Sequence, residues 1–211
     1  YMQKLKGLLK AAHFGPTLIV TAISFGFGTY YWWEGPAYVI AFGVFTGQLV
    51  VGWSNDLYDF DDDLKHQRAK KPLVSGLITT QYLQKWLRFM VPFSFVANLL
   101  GPLGIKGGSV YMLGIAFGVA YNFYFKFSIL SPLPYAIAFA ALPSSVALSK
   151  EINPPMWMLL GGALFGMAAH FINVIKDMDQ DQASGIKGLP QRLGKVKSIS
   201  AAVLLIALGI A

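Results

Sequence analysis

Pro36–Asp63 reads PAYVIAFGVFTGQLVVGWSNDLYDFDDD, twenty residues without a charge followed by five aspartates in eight positions. The apolar part approaches the ~20 residues that a helix needs to cross the hydrocarbon of a bilayer. Carboxylates beside lipid are expensive, so a function is their default explanation. The pattern returns 118 residues later: Asn55, Asp59 and Asp63 are matched, at the same four-residue spacing, by Asn173, Asp177 and Asp181. Of the ten acidic residues in the chain, eight lie within Asp56–Asp63 or Asp177–Asp181. Such clusters bind cations, and what bridges two of them is expected to be an anion carrying metal.

Hydrophobic residues make up 55% of the 211 positions and charged residues 13%, with a mean hydropathy of +0.52. That composition fits an all-α, polytopic transmembrane helical bundle, one compact domain over residues 1–211. Apolar segments run over 16–33, 36–54, 86–103, 109–125, 130–149, 155–174 and from 198 to the end. The breaks between them carry Pro or Gly, as in Glu34-Gly35-Pro36, Lys106-Gly107-Gly108 and Asn153-Pro154-Pro155. The seventh segment stops at Ala211 within an apolar run and the chain starts at Tyr1, so it is expected to be truncated, at its C-terminus above all. Without cysteine there are no disulfides and no thiolate metal sites. Lys4, Lys6 and Lys10, with no small-residue exit after them, do not read as a cleavable signal.

The net charge of +7 reads as an orientation signal and not as a nucleic-acid footprint. With a cytoplasmic N-terminus, fifteen of the seventeen Lys and Arg residues fall in inner loops or at inner helix ends, and Lys106 and Lys150 fall outside. Both acidic clusters are then cytoplasmic. If the helix continues through the first one, Asp56, Asp59 and Asp63 share a face, where like charges repel unless a cation neutralises them. Magnesium suits that face, since it takes oxygen ligands and is commonly shared between carboxylates and a substrate phosphate. Basic residues follow each cluster: Lys65, Arg68, Lys70 and Lys71 after the first, Lys187 and Arg192 after the second. Carboxylates for metal and cations for a departing group together suit a diphosphate ester, and the bilayer setting implies a long hydrocarbon on it.

These elements resemble those of the UbiA superfamily of intramembrane prenyltransferases. Asn55-Asp56-x-x-Asp59-x-x-x-Asp63 is similar to the first motif of that family. Asp177-x-x-x-Asp181, followed by Gly185-Ile186-Lys187-Gly188-Leu189-Pro190-Gln191-Arg192-Leu193-Gly194, is similar to the second. Lys71-Pro72-Leu73-Val74-Ser75-Gly76 resembles the basic-Pro-Leu-x-x-Gly loop, and Tyr121-Asn122 with Lys126 resembles the Tyr-to-Lys element after the fourth helix. The resemblance implies nine spans in two pseudo-repeated four-helix halves plus one, of which about seven are present here. It also implies transfer of a prenyl group from a polyprenyl diphosphate to a small or lipid acceptor, an aromatic or quinone-precursor ring being favoured, with Mg2+ as cofactor. Asn55, Asp56, Asp59 and Asp63 would serve a first metal site. Asp177 and Asp181, with Asn173, would serve a second. Arg68, Lys126 and Lys187 would contact the diphosphate, and Tyr121 would face the diphosphate or the forming carbocation.

Two departures bear on specificity. The loop from Asp63 to Pro72 is one residue shorter than in ubiquinone-type members and has Arg68-Ala69 for Arg-Thr, so Lys70 and Lys71 are equivalent candidates for the next basic residue. The first helix opens with Ala12-His13-Phe14-Gly15-Pro16 and lacks the basic start of hydroxybenzoate members. Tyr58, Tyr121 and Phe171 are candidates to steady a carbocation through their ring faces, with lipid-facing or core packing as the plainer reading of each. His13 reads equally as an acceptor contact or a helix-start hydrogen bond, His66 as a surface residue, and His170 as a cavity or a packing residue. Gly43, Gly47 and Gly52 read as small residues that let helices approach. Competing classes are a CDP-alcohol phosphotransferase, whose single continuous motif is absent, and a divalent-cation transporter, which would place acids nearer the midplane. Acceptor identity and prenyl chain length are not written in the sequence.

Overall fold

The computed structural model describes residues 2–211, and its regular elements are helices. In order they are α1 (Met2–Ala11), α2 (Phe14–Tyr31), α3 (Glu34–Tyr58), α4 (Phe60–Lys65), α5 (Thr80–Leu99), α6 (Gly104–Phe123), α7 (Leu133–Leu148), α8 (Met156–Ala183), α9 (Leu189–Leu193) and α10 (Lys195–Ile210). A 3-10 turn, Phe125–Phe127, follows α6. The seven apolar segments correspond to α2, α3, α5, α6, α7, α8 and α10. Three short helices (α1, α4 and α9) were hidden from a reading based on apolar length.

Helix length places the two motifs. At 1.5 Å per residue, α3 with 25 residues and α8 with 28 measure about 37 and 42 Å, against a hydrocarbon core of about 30 Å. Both are therefore longer than the core, and an acidic motif lies at the C-terminal end of each. α3 and α8 are long and apolar enough to cross a membrane, and α1 with α2, bent by 72°, would make a third span. α2, with 18 residues, has the length of the segment 16–33, whereas the segment 130–149 is shortened to the 16 residues of α7. α7 is short because it starts only beyond Pro132 and ends at Ser149.

α2, α3, α5 and α6 pack as one group, α7, α8 and α10 as another, with α6 against α7 at the junction. The second long helix of each group carries an acidic motif, as a pseudo-repeat requires. Contacts also settle which loops share an end. Lys106 pairs with Glu151, and the Lys150 ammonium lies 4.1 Å from the Trp32 ring centre, so the α2–α3, α5–α6 and α7–α8 connections meet at one end. Both motifs lie at the other. Inside the first group, Asn98 Nδ2 donates to the carbonyls of Gly43 and Ser94, at 3.0 and 2.8 Å, and the Tyr111 hydroxyl donates to Val44 O at 2.8 Å. Where no water competes, such bonds tie helices together, and the small side of α3 permits them.

Candidate active site

The helical face expected through Asp56, Asp59 and Asp63 is interrupted. α3 stops at Tyr58 and α4 starts at Phe60, with Asp59 between them (φ −82, ψ −3). Backbone bonds from Asp59 N to Asn55 O (2.9 Å) and from Asp63 N to Asp59 O (2.8 Å) carry the chain across this break. Crowded like charges disfavour a continuous helix here, and a cation draws the Asp59 carboxylate aside. That cation is Lys126, on the 3-10 turn after α6. It is 5% exposed, pairs with Asp59 Oδ1, and lies 4.8 Å from the ring centre of Tyr58.

The loop after α4 reverses at Gln67 (φ 50) and is pinned by Leu73 and Ile78, which join the buried cluster of Leu8, Trp53 and Leu83. Pinning brings its cations back onto the acids. Lys71 Nζ donates to Asp56 Oδ1 at 2.7 Å and lies 3.6 Å from Asp63 Oδ2, whereas Lys70 is exposed. The loop thereby distinguishes the two lysines that the sequence left equivalent. Burial disfavours the Lys71 charge, but Asp56, Asp63 and Asp59 outweigh it and raise the ammonium above its ordinary value of 10.5. Arg68 Nη1 donates to Asp63 Oδ1 at 2.6 Å. Asp56 Oδ2 is buried and accepts no hydrogen bond. Asn55 Nδ2 donates to Asp59 Oδ2 (3.0 Å) and to Asn122 Oδ1 (3.1 Å), and His13 Nε2 is 3.1 Å from Asn55 Oδ1.

Arg68 also joins the two motifs. Its Nη2 donates to Ser184 Oγ at 2.6 Å, and Ser184 Oγ in turn donates to Asp62 Oδ2 at 2.6 Å. The charges of Arg68 and Lys126 both reach Asp181. On α8, Asp181 Oδ2 accepts from Gln191 Nε2 at 2.9 Å, Asn173 faces the Tyr135 hydroxyl, and Asp177 is exposed. Lys187 is exposed beside a cleft of about 160 Å³ lined also by Gln182, Ile186, Gln191 and Arg192. Tyr121 stacks edge-on against Tyr135 (5.3 Å) and His170 (5.5 Å). His170 is buried and bonded to Ser131 Oγ at 3.0 Å, the hydroxyl that also accepts from Leu189 N. Phe171 packs next to it.

Asn55, Asp56, Asp59, Asp63, Arg68, Lys71 and Lys126 thus meet at one helix end, Tyr121 and Asp181 border it, and Asp177 and Lys187 stand apart in solvent. Asp56, Asp59 and Asp63 are paired with cations, and among the described residues no group of three or more acidic or histidine side chains closes into a metal-holding cluster. Ser184, Asp62, Asn122, Ser131 and Gln191 carry site contacts and were missed. All but Asp62 are neutral, and the fold brings Asn122 and Ser131 to the site from the end of α6 and the loop before α7.

A helical membrane bundle with two acidic helix ends joined by an arginine defines a narrow class. The UbiA prenyltransferase family matches residues 13–211, and the chain belongs to that family. Members are intramembrane prenyltransferases, and the apolar helices make this chain an integral membrane protein. Solved structures of a UbiA homolog from Archaeoglobus fulgidus, one bound to DMAPP and Mg2+ and one to GPP and Mg2+, have the same fold. Each has a TM-score of 0.77 and 17% identity, with 100% of this chain and 75% of the other covered. A structure described for digeranylgeranylglyceryl phosphate synthase gives a TM-score of 0.70 at 21% identity, covering 98% of this chain and 75% of the other. Comparison with curated proteins gave no match by sequence.

Proposed function

We propose that this chain, as one domain, transfers a prenyl group from a polyprenyl diphosphate to an acceptor in the membrane, an aromatic or quinone-precursor ring being the favoured acceptor. The observation that carries the reading is Arg68, which binds Asp63 of the first motif and Ser184 beside the second, so that one anion can touch both. Mg2+ is the metal that fits. Asp56 Oδ2 is a buried carboxylate oxygen without a partner, and Asn55, Asp59 and Asp63 add oxygen donors, the set a hard divalent ion takes. Asp56, Asp59 and Asp63 would hold one ion and Asp177 and Asp181 another. Bound there, the metal supplies neutralisation of the diphosphate oxygens.

The chain's own residues do the rest. Arg68, Lys71, Lys126 and Lys187 stabilise the charge that collects on the departing diphosphate. Asn55 and Asn173 orient neighbouring carboxylates and the substrate. The rings of Tyr121 and Tyr58 present negative faces to an allylic cation. Apolar walls exclude the water that would quench it. The experiment is incubation of membranes containing the protein with labelled geranyl diphosphate. Release of diphosphate and formation of a prenylated lipid, both abolished by EDTA, is the expected result, and release of neither overturns the reading.

The positive-inside bias puts this site on the cytoplasmic side. A cysteine replacing exposed Gln67 or Gln182 should react with a cytoplasmic impermeant reagent, and one replacing Lys106 should react from the opposite face. The reverse pattern would move the site across the membrane.

A further inference from the structure

His13 occupies the 72° bend between α1 and α2 with φ 51 and ψ 59, left-handed values that cost any residue with a Cβ and that glycine adopts freely. It makes no side-chain cap to α2, so helix capping does not account for it. The bend is instead clamped to α3. Trp53 Nε1 donates to Leu8 O at 2.9 Å, and a Cβ on Gly52 would stand 2.7 Å from the Ala12 carbonyl oxygen, which also accepts from Thr17 Oγ1 of α2 at 2.7 Å. The clamp delivers the imidazole to the first acidic motif, with Nε2 3.1 Å from Asn55 Oδ1 and 3.3 Å from Asp56 Oδ1.

The hydrogen-bond inventory assigns the proton. Both N–H bonds of Asn55 Nδ2 are committed, one to Asp59 Oδ2 and one to Asn122 Oδ1. Its Oδ1 is therefore an acceptor, and His13 Nε2 must carry the hydrogen that it receives. A chain of oriented groups runs from His13 through the Asn55 amide to the Asp59 carboxylate and Lys126. With this donor absent, Asn55 Oδ1 loses the partner that fixes its side of the amide, and the group that orients Asp59 is held through Nδ2 alone.

We propose that His13 is a positioning residue that locks the Asn55 amide and thereby presets Asp59 and Asp56 for the metal diphosphate. The inference rests on the prenyl-transfer reading above and goes beyond it, since that reading gives His13 no role. It also explains the strain: a left-handed bend with no duty towards α3 would be better served by glycine.

The test compares wild type, His13→Gly and His13→Gln in nanodiscs. Glycine keeps the left-handed bend and removes the donor, while glutamine restores an N–H at similar reach. Thermal melting, Mn2+ affinity by electron paramagnetic resonance with geranyl thiolodiphosphate present, and turnover against Mg2+ concentration are measured on each. The expected result for His13→Gly is an undiminished melting temperature with Mn2+ affinity weakened about tenfold, the scale on which hydrogen bonds behind metal-binding groups act. The Mg2+ needed for half-maximal rate should rise to match, and His13→Gln should recover most of both losses. Unchanged metal dependence in His13→Gly overturns the proposal, as does a lowered melting temperature that glutamine does not rescue. If wild type binds Mn2+ but releases no diphosphate, the prenyl-transfer reading falls while the Mn2+ titration still judges His13. A wild type that binds no Mn2+ overturns both.

Discussion

At the end of α3, Asp56 and Asp63 are each 2% exposed and are held by Lys71 and Arg68; at the end of α8, Asp177 is exposed and Asp181 meets the amide of Gln191. Both motifs have the same spacing and both are followed by basic residues, so spacing and composition do not make the difference. The connections do. After α4 the chain turns back at Gln67 and is anchored by Leu73 and Ile78, which returns its cations to the acids. After α8 it leaves through Gly185, whose φ of +73 suits glycine, and Arg192 Nε then bonds to Lys187 O. One motif is neutralised from within the fold, and the other keeps its charge towards solvent. The first is built as a rigid half and the second as an open one.

Removing the central carboxylate of each motif should separate structure from activity. Asp59→Ala leaves Lys126, 5% exposed, without its partner, and an abandoned buried charge costs about 3 kcal/mol. Asp177→Ala removes a solvated charge and should leave the melting temperature unchanged. Both should lose turnover by at least about a hundredfold, the scale of a lost charge-stabilising group in an active site. Near-normal turnover in either variant would break the two-site model, and equal destabilisation of both would break the rigid-and-open contrast.

Lysine substitutions probe the same contrast less severely. Lys71→Ala strips a cation from Asp56 and Asp63 and should lower stability by about 2 kcal/mol, while Lys187→Ala should raise KM for the prenyl diphosphate with no change in melting. The Lys71 effect has a predictable pH dependence. A raised folded-state value means that its stabilisation is complete below the ordinary 10.5 and is lost as pH climbs through the elevated value. Wild type and Lys71→Ala should therefore differ at neutral pH and converge in strong alkali. A gap that persists there would show that Lys71 acts through packing and not through charge.

The contrast between the motifs is also where the sequence could be read and where it could not. Apolar runs located all seven long helices, because uncharged stretches bounded by Pro, Gly and charges mark where each helix starts and stops. The doubled Asn-Asp-Asp spacing and the cations after each cluster likewise pointed to residues that the fold brings together at the α3 end. Charge periodicity did not show the interruption at Asp59, whose carboxylate pairs with Lys126, a tertiary partner 67 residues away. It also could not separate Lys70 from Lys71, because that choice depends on the loop's anchoring in the core. Asn122 and Gln191 stood inside quoted motifs without a role of their own, and Ser184 had no signal. Neutral hydrogen-bonding residues become part of a site only through distances that a chain reveals once folded.

Cooperation between the halves can be measured on the outer carboxylates. If one metal diphosphate spans both, Asp63→Asn and Asp181→Asn should each weaken binding of a non-hydrolysable prenyl diphosphate in Mg2+ by about tenfold. The double variant should lose less than the product, with a coupling of about 1 kcal/mol. Calorimetric titration of the four proteins reads this directly. Multiplicative losses would mean that the rigid and the open half bind independently.

The mildest test addresses the join itself. Ser184 Oγ accepts from Arg68 Nη2 and donates to Asp62 Oδ2, each at 2.6 Å, and so links the first loop to the end of α8. In Ser184→Ala both bonds vanish, but Arg68 Nη2 and Asp62 Oδ2 already stand 3.4 Å apart and can pair with each other. The net loss should therefore be about 1 kcal/mol, the usual worth of one hydrogen bond after compensation. That corresponds to a KM for prenyl diphosphate raised about fivefold with kcat nearly unchanged. Adding Asp62→Ala should cost little more, since Arg68 would remain bound to Asp63 at 2.6 Å and keep its place. If Ser184→Ala instead lowers kcat as far as Asp177→Ala does, the hydroxyl holds the second motif in its working geometry, and the open half is less open than its exposure suggests.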